Sequence, residues 1–176
     1  IIYLESAYYL NPDVEDLVFG RLSLCIDILG INEEELVDHA KRHGRETNRN
    51  DLISVLLSLE LLVEKYPVKG IVLHTKDYSM YYGSKIRNAD MVKGLTLGNL
   101  MSGTRARIGR YGSFEDCRET LSLALSPAGM AFAEQLEGMN TDKQVKLVPS
   151  RYIENPKCTI GLGDTFMAGV LISFVK

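Results

Sequence analysis

Asp164 follows two glycines in the string Thr159-Ile160-Gly161-Leu162-Gly163-Asp164-Thr165, and beyond Gly163 the pattern turns helical. Glycines at such a junction let backbone N–H groups approach an anion closely, and the N-terminus of the following helix adds partial positive charge. An Asp in that first turn can face the same space and accept a proton from an attacking hydroxyl. Phosphoryl transfer needs this combination of positioned donors and a base for the nucleophile. A plainer use of the same residues is a turn glycine followed by a helix-capping Asp. The string is not a GxGxxG fingerprint, because Phe166 stands three residues after Gly163, and no Walker GxxxxGK[ST] occurs.

A second constellation, Asn32-Glu33-Glu34-Glu35, follows the apolar stretch Ile26 to Ile31. Asn32 as N-cap with Glu35 three residues on fits a capping box, and acidic residues suit the positive end of a helix. Glu35 could instead hold a magnesium ion through water, at the carboxyl end of a sheet strand where open α/β sheets bind ligands. The two uses are compatible for Asn32 but compete for the Glu35 side chain.

The elements that must position these residues alternate in type. Short apolar strands are expected over Ile1 to Leu4, Ile26 to Ile31, Gly70 to Thr75 and Tyr78 to Tyr82, the last two joined by a turn around Lys76-Asp77. Gln144 to Ile153 reads as a fifth strand, with Pro149 marking an edge or a bend. Asn11-Pro12-Asp13 opens a helix with the stripe Val14, Leu17, Val18, Arg21 and Leu22. Glu33 to His43 is a helix closed by Gly44, and Leu52 to Lys65 is another, ended by Pro67. Further helices are expected over Ala89 to Arg107, from a capping box at Ser113 to Leu125, and from Pro127 to Glu137. Strands alternating with helices indicate one α/β layered domain over residues 1–176, with a mainly parallel central sheet flanked by helices.

Composition narrows the classes of partner. A net charge of −3 gives no reason to expect nucleic acid or an anionic membrane, though a small basic pocket for phosphates stays compatible with it. No apolar run reaches the roughly 18 residues that a membrane span needs. Cys25, Cys117 and Cys158 are widely spaced, odd in number, and form no CxxC or zinc pattern with the three histidines. Reduced thiols in a cytoplasmic protein are the expectation. The chain begins without Met, at a strand, and stops at Phe174-Val175-Lys176 within an apolar helical pattern, which reads as part of a longer protein.

Taken together, NxxE after one strand and GxGD before a late helix resemble the ribokinase-like superfamily. The longer string from Val148-Pro149 through Asn155-Pro156 and Cys158 to Gly161-Leu162-Gly163-Asp164-Thr165 resembles the archaeal ADP-dependent glucokinases and phosphofructokinases. Gly30-Ile31-Asn32-Glu33-Glu34-Glu35-Leu36 is similar to that family's Gly-x-Asn-Glu-x-Glu-Leu segment, and Leu73-His74-Thr75 fits its His-Thr pattern. The resemblance implies a truncated ribokinase-like fold and a sugar kinase that moves the β-phosphoryl of ADP to glucose or fructose 6-phosphate, releasing AMP. It implies Asp164 as general base and Gly161, Leu162 and Gly163 as the anion hole. Glu35, with Asn32, would organise magnesium, and Val148, His74 and Cys158 would line the nucleotide site.

The family carries His-x-Glu where this chain has Tyr3-Leu4-Glu5, so Glu5 is retained as a metal candidate and its histidine is not. The family's N-terminal portion, with the lid and most sugar contacts, is expected to lie outside this chain. An ATP-dependent ribokinase-like kinase and a non-catalytic nucleotide-binding domain on the same fold stay open as alternatives. Arg105, Arg107 and Arg110 form a basic run that could help bind phosphate, with a solvated helix face as the plainer reading, and Tyr78, Tyr81 and Tyr82 read as strand packing.

Overall fold

The computed structural model describes residues 1–7, 9–87 and 89–175. Among the described residues, five strands and seven helices follow one another as β1 (Tyr3–Glu5), α1 (Pro12–Leu22), β2 (Ile28–Asn32), α2 (Glu33–Arg42), α3 (Leu52–Lys65), β3 (Gly70–His74), β4 (Tyr78–Gly83), α4 (Met91–Ile108), α5 (Phe114–Leu121), α6 (Pro127–Glu137), β5 (Gln144–Pro149) and α7 (Leu162–Leu171). A short 3-10 turn, Ile172–Phe174, closes the series.

The strands form one sheet in the order β1-β2-β3-β4-β5. β1 and β2 run parallel, with Glu5 opposite Gly30. Only the three residues Thr75 to Asp77 join β3 to β4, too few for a crossover, so this pair is antiparallel and the sheet is mixed. The Thr75 N–H donates to the Tyr78 carbonyl at 2.9 Å, placing the turn where Lys76-Asp77 predicts it. The result is an α/β fold.

Helix starts follow local chemistry. Asn11, Asn32, Asp51, Asp90, Ser113 and Ser126 each cap the helix that follows them, accepting N–H groups that the helix cannot satisfy itself. Most bounds fall within two residues of the sequence expectation, and two differ by four. α5 ends at Leu121 rather than Leu125, and β5 at Pro149 rather than Ile153. Leu125 forms an antiparallel bridge with Arg151, and the Tyr152 N–H donates to Ala124 O at 2.9 Å. These long-range backbone bonds replace the final helical turn and the last strand residues.

The chain divides into two compact units. The first comprises Ile1–Leu73, Tyr81–Ile86 and Thr141–Val145; the second comprises His74–Met80, Arg87–Asn140 and Lys146–Lys176. In the first unit the core consists of Phe19, Ile28, Leu29, Ile31, Leu36, Leu59, Leu62 and Ile71, all fully buried. Glu15 lies inside beside them, held by the Arg42 guanidinium at 2.6 Å, as a buried carboxylate requires. In the second unit α7 packs along α4 through glycines: a Cβ on Gly98 would lie 2.7 Å from the Phe166 ring. Tyr78, Tyr81 and Tyr82 are buried, in line with their reading as strand packing.

Candidate active site

α7 begins without a side-chain cap. Its N-cap position is Gly161, in the left-handed region at φ 68°, ψ 20°, which glycine adopts without the penalty a Cβ would add. Leu162, Gly163 and Asp164 are therefore the first three helical residues. Their N–H groups lack intrahelical acceptors by construction, and no side chain of a capping residue occupies them. Asp164 is exposed and stands in this first turn, where a carboxylate and a bound anion would share one positive helix end. The GxGD string thus spans the start of a helix that has no side-chain cap. An Asp N-cap, the plainer use of these residues, is excluded by the cap being Gly161.

The loop before it is anchored to the end of α4. The Lys157 N–H donates to Ala106 O at 2.7 Å. Arg105 Nη1 donates to Gly161 O and to Thr165 Oγ1, both at 2.8 Å, and its guanidinium carbon lies 4.5 Å from the centre of the Tyr111 ring. Arg107 donates to Thr120 Oγ1 at 3.0 Å and to Asp116 O at 2.8 Å. The expectation of a solvated arginine face is therefore wrong for Arg105 and Arg107, which turn into the unit, and holds for Arg110, paired at the surface with Asp116. Sequence reasoning missed Arg105 because its partners lie 56 and 60 residues away.

The same unit holds the residues assigned to the nucleotide. His74 ends β3 and stacks on Phe166 of α7, with ring centroids 4.9 Å apart. Val148 lies on β5, its carbonyl accepting from Asn99 Nδ2 at 3.0 Å. Cys158 is half-buried, its thiol contacting Ile160 O at 3.3 Å. His74 and the start of α7 are thus coupled through Phe166.

The proposed metal residues belong to the other unit. Asn32 Oδ1 accepts from the N–H groups of Glu34 and Glu35, each at 2.9 Å, and Glu35 Oε2 accepts from the Asn32 N–H at 2.8 Å. This reciprocal pair is the capping box expected from the sequence. It also commits both lone pairs of the Asn32 oxygen. Glu5 stands opposite Gly30, beside the Tyr3 hydroxyl. Burial pushes the Tyr3 phenol well above its ordinary pKa, and the neighbouring Glu5 carboxylate adds to the shift. Tyr3 therefore stays neutral beside Glu5. Among the described residues no three His, Cys, Asp or Glu side chains gather as a ligand set.

A family model described as "ADP-specific Phosphofructokinase/Glucokinase conserved region" matches residues 1–173. The chain belongs to this ADP-specific phosphofructokinase/glucokinase family. It is 28% identical over 192 residues to the ADP-dependent glucose/glucosamine kinase of Pyrococcus abyssi, covering 97% of this chain and 41% of that protein. It is 23% identical to the ADP-specific phosphofructokinase of Thermococcus litoralis, covering 99% of this chain and 41% of that one. The fold is shared with a phosphofructokinase from Pyrococcus horikoshii solved with AMP, at a TM-score of 0.85 and 21% identity, covering 98% of this chain and 42% of that one. The chain spans about 41% of the length of the curated relatives it matches.

Proposed function

We propose that this chain forms the nucleotide-side part, a single α/β nucleotide-binding domain over residues 1–176, of a sugar kinase that transfers the β-phosphoryl of ADP to a hexose or hexose phosphate. The observation that carries the proposal is the uncapped start of α7, opened by Gly161 and bearing the exposed Asp164 in its first turn. The names of the relatives, glucose/glucosamine kinase and phosphofructokinase, support glucose or fructose 6-phosphate as the acceptor. A solved structure of similar fold, at a TM-score of 0.83 and 20% identity, is an ADP-dependent kinase complex with fructose 6-phosphate and ADPβS.

In this reading Asp164 accepts the proton of the acceptor hydroxyl as its oxygen attacks the β-phosphorus. The bond from that phosphorus to the oxygen bridging it to the α-phosphate breaks, and AMP leaves. Gly161, Leu162 and Gly163 surround the transferring phosphoryl, their N–H groups and the helix end meeting its spread negative charge. His74, Val148 and Cys158 line the nucleotide. Magnesium, when bound, neutralises phosphate charge, and it suits a site that leaves it several waters. Glu35 fits that role through water, with Asn32 holding Glu35 in place rather than ligating directly, because the Asn32 oxygen is already committed. Glu5, beside Tyr3 at the end of β1, would add a second carboxylate to that role.

The complete enzyme, supplied with magnesium and glucose or fructose 6-phosphate, tests this by its donor. Turnover with ADP that yields AMP supports the proposal. Turnover with ATP and none with ADP replaces it with an ATP-dependent kinase. Nucleotide binding without transfer to any hexose replaces it with a non-catalytic domain.

A further inference from the structure

We infer that Arg105 is a positioning residue for phosphoryl transfer: by gripping the Gly161 carbonyl it aims the Leu162 N–H into the anion hole. The inference rests on the proposed function and adds to it a residue that touches neither nucleotide nor sugar.

The geometry starts from one oxygen. Gly161 O accepts from Arg105 Nη1 at 2.8 Å, from Thr165 Oγ1 at 2.9 Å and from the Thr165 N–H at 3.3 Å. A carbonyl oxygen has two lone pairs, so three donors saturate it and leave the peptide little freedom to rotate. The charged guanidinium is the strongest of the three. The Gly161–Leu162 peptide is trans and planar, so its C=O and N–H point in opposite directions. Fixing the carbonyl toward Arg105 fixes the Leu162 N–H away from it, on the side where α7 has no cap.

Arg105 is itself held. Nη1 also donates to Thr165 Oγ1 at 2.8 Å, and the Tyr111 ring covers the guanidinium face. A Cβ at Gly161 would lie 2.8 Å from Nη2 and 3.0 Å from Nη1, so the arginine packs directly against the glycine. The Lys157 N–H bond to Ala106 O secures the loop one residue further along α4. An arginine in the last turn of a helix ordinarily serves that helix's own carbonyls. This one instead reaches the turn that opens another helix.

In the complete enzyme, Arg105→Ala is expected to lower kcat about 10- to 100-fold, since a misdirected donor costs transition-state contacts more than ground-state ones. The KM for ADP should stay within about threefold, as expected for an interaction realised in the transition state. Arg105→Lys should recover part of kcat, because an ammonium reaches Gly161 O or Thr165 Oγ1 without the planar fork. Millimolar guanidinium should raise the rate of Arg105→Ala, which a general loss of stability would not allow. A third readout does not depend on the reaction: the Thr165 amide should exchange with solvent several-fold faster in Arg105→Ala. An Arg105→Ala enzyme with kcat within twofold of the parent overturns the inference. So does a loss confined to the KM for ADP, which would make Arg105 a direct nucleotide contact. If Arg105→Ala does not fold, an Arg105→Lys enzyme with full kcat overturns it equally. If the parent transfers nothing from ADP, the functional reading fails, and unchanged Thr165 exchange would then separately remove the role of Arg105.

Discussion

Gly169 of α7 lies so close to Gly98 of α4 that a Cβ built on Gly169 would stand 2.6 Å from both the nitrogen and the Cα of Gly98. The backbones touch, and no side chain could enter without parting the helices. Gly169→Ala should therefore cost about 1–3 kcal/mol through overpacking, despite alanine's better helix propensity. Gly20, on the exposed face of α1, is the control: a Cβ there meets nothing within 4 Å. Gly20→Ala should stabilise by about 0.5–1 kcal/mol. Urea unfolding of the two variants checks the contrast, and equal effects would show that the α4–α7 approach is looser than described.

His39 makes stability depend on pH. It is fully buried, touched from α1 by Phe19 and Glu15, from the end of α3 by Tyr66, and flanked on α2 by Asp38, Arg42 and His43. Burial, and then the Arg42 charge, lowers its pKa to about 4 from an ordinary 6.5. The Asp16 and Asp38 charges oppose this, while Glu15, 3.3 Å from Nε2, is paired with Arg42 at 2.6 Å. Because the folded pKa is depressed, the unfolded chain binds the extra proton. The contribution is complete above pH 6.5 and is lost as pH falls toward 4, reaching about 2 kcal/mol at pH 5. His39→Gln should flatten that slope in urea unfolding between pH 7 and pH 5. An unchanged slope would assign the acid sensitivity to other groups.

Much of this was readable in the residues, because local rules decide it. Asn32 with Glu35, Ser113 with Asp116, and Asn11 before Pro12 cap their helices as their types require. The Gly161 turn and the helix after it were legible for the same reason. The end of α5 was not, because Ala124 and Leu125 are drawn away by backbone bonds to residues 151 and 152, far along the chain. Arg105 escaped in the same way, since nothing near it in sequence records a partner at Gly161. The family resemblance was carried by short strings, and the matching of residues 1–173 to the family bears it out. Tyr3 in place of histidine was visible, but its burial beside Glu5 was not.

Glu35 has two uses that one substitution separates. Glutamine keeps an oxygen to accept the Asn32 N–H, so Glu35→Gln should hold the capping box and change stability by less than about 0.5 kcal/mol. It removes the negative charge that would attract a hydrated cation. If Glu35 organises magnesium, the magnesium concentration for half-maximal activity of the complete enzyme should rise about tenfold, or ~1.4 kcal/mol. Glu35→Ala should show that loss and also about 1 kcal/mol of stability. A magnesium titration of Glu35→Gln that overlays the parent would leave Glu35 as a cap alone.

Asp164 separates binding from chemistry. Asn at this position retains the size and the hydrogen-bonding oxygen of Asp but cannot take a proton from a hydroxyl. Asp164→Asn should therefore lower kcat by about 10²–10⁴-fold, the range that a positioned general base supplies. Binding of ADP should not weaken, because the carboxylate and the phosphates compete for the same positive helix end. Removing one negative charge from the first turn of α7 should leave ADP affinity equal or tighter. Calorimetric titration of the variant, set beside its kcat, makes the distinction. A fall in affinity with kcat retained would make Asp164 a binding residue, and a kcat within tenfold of the parent would end its assignment as the base.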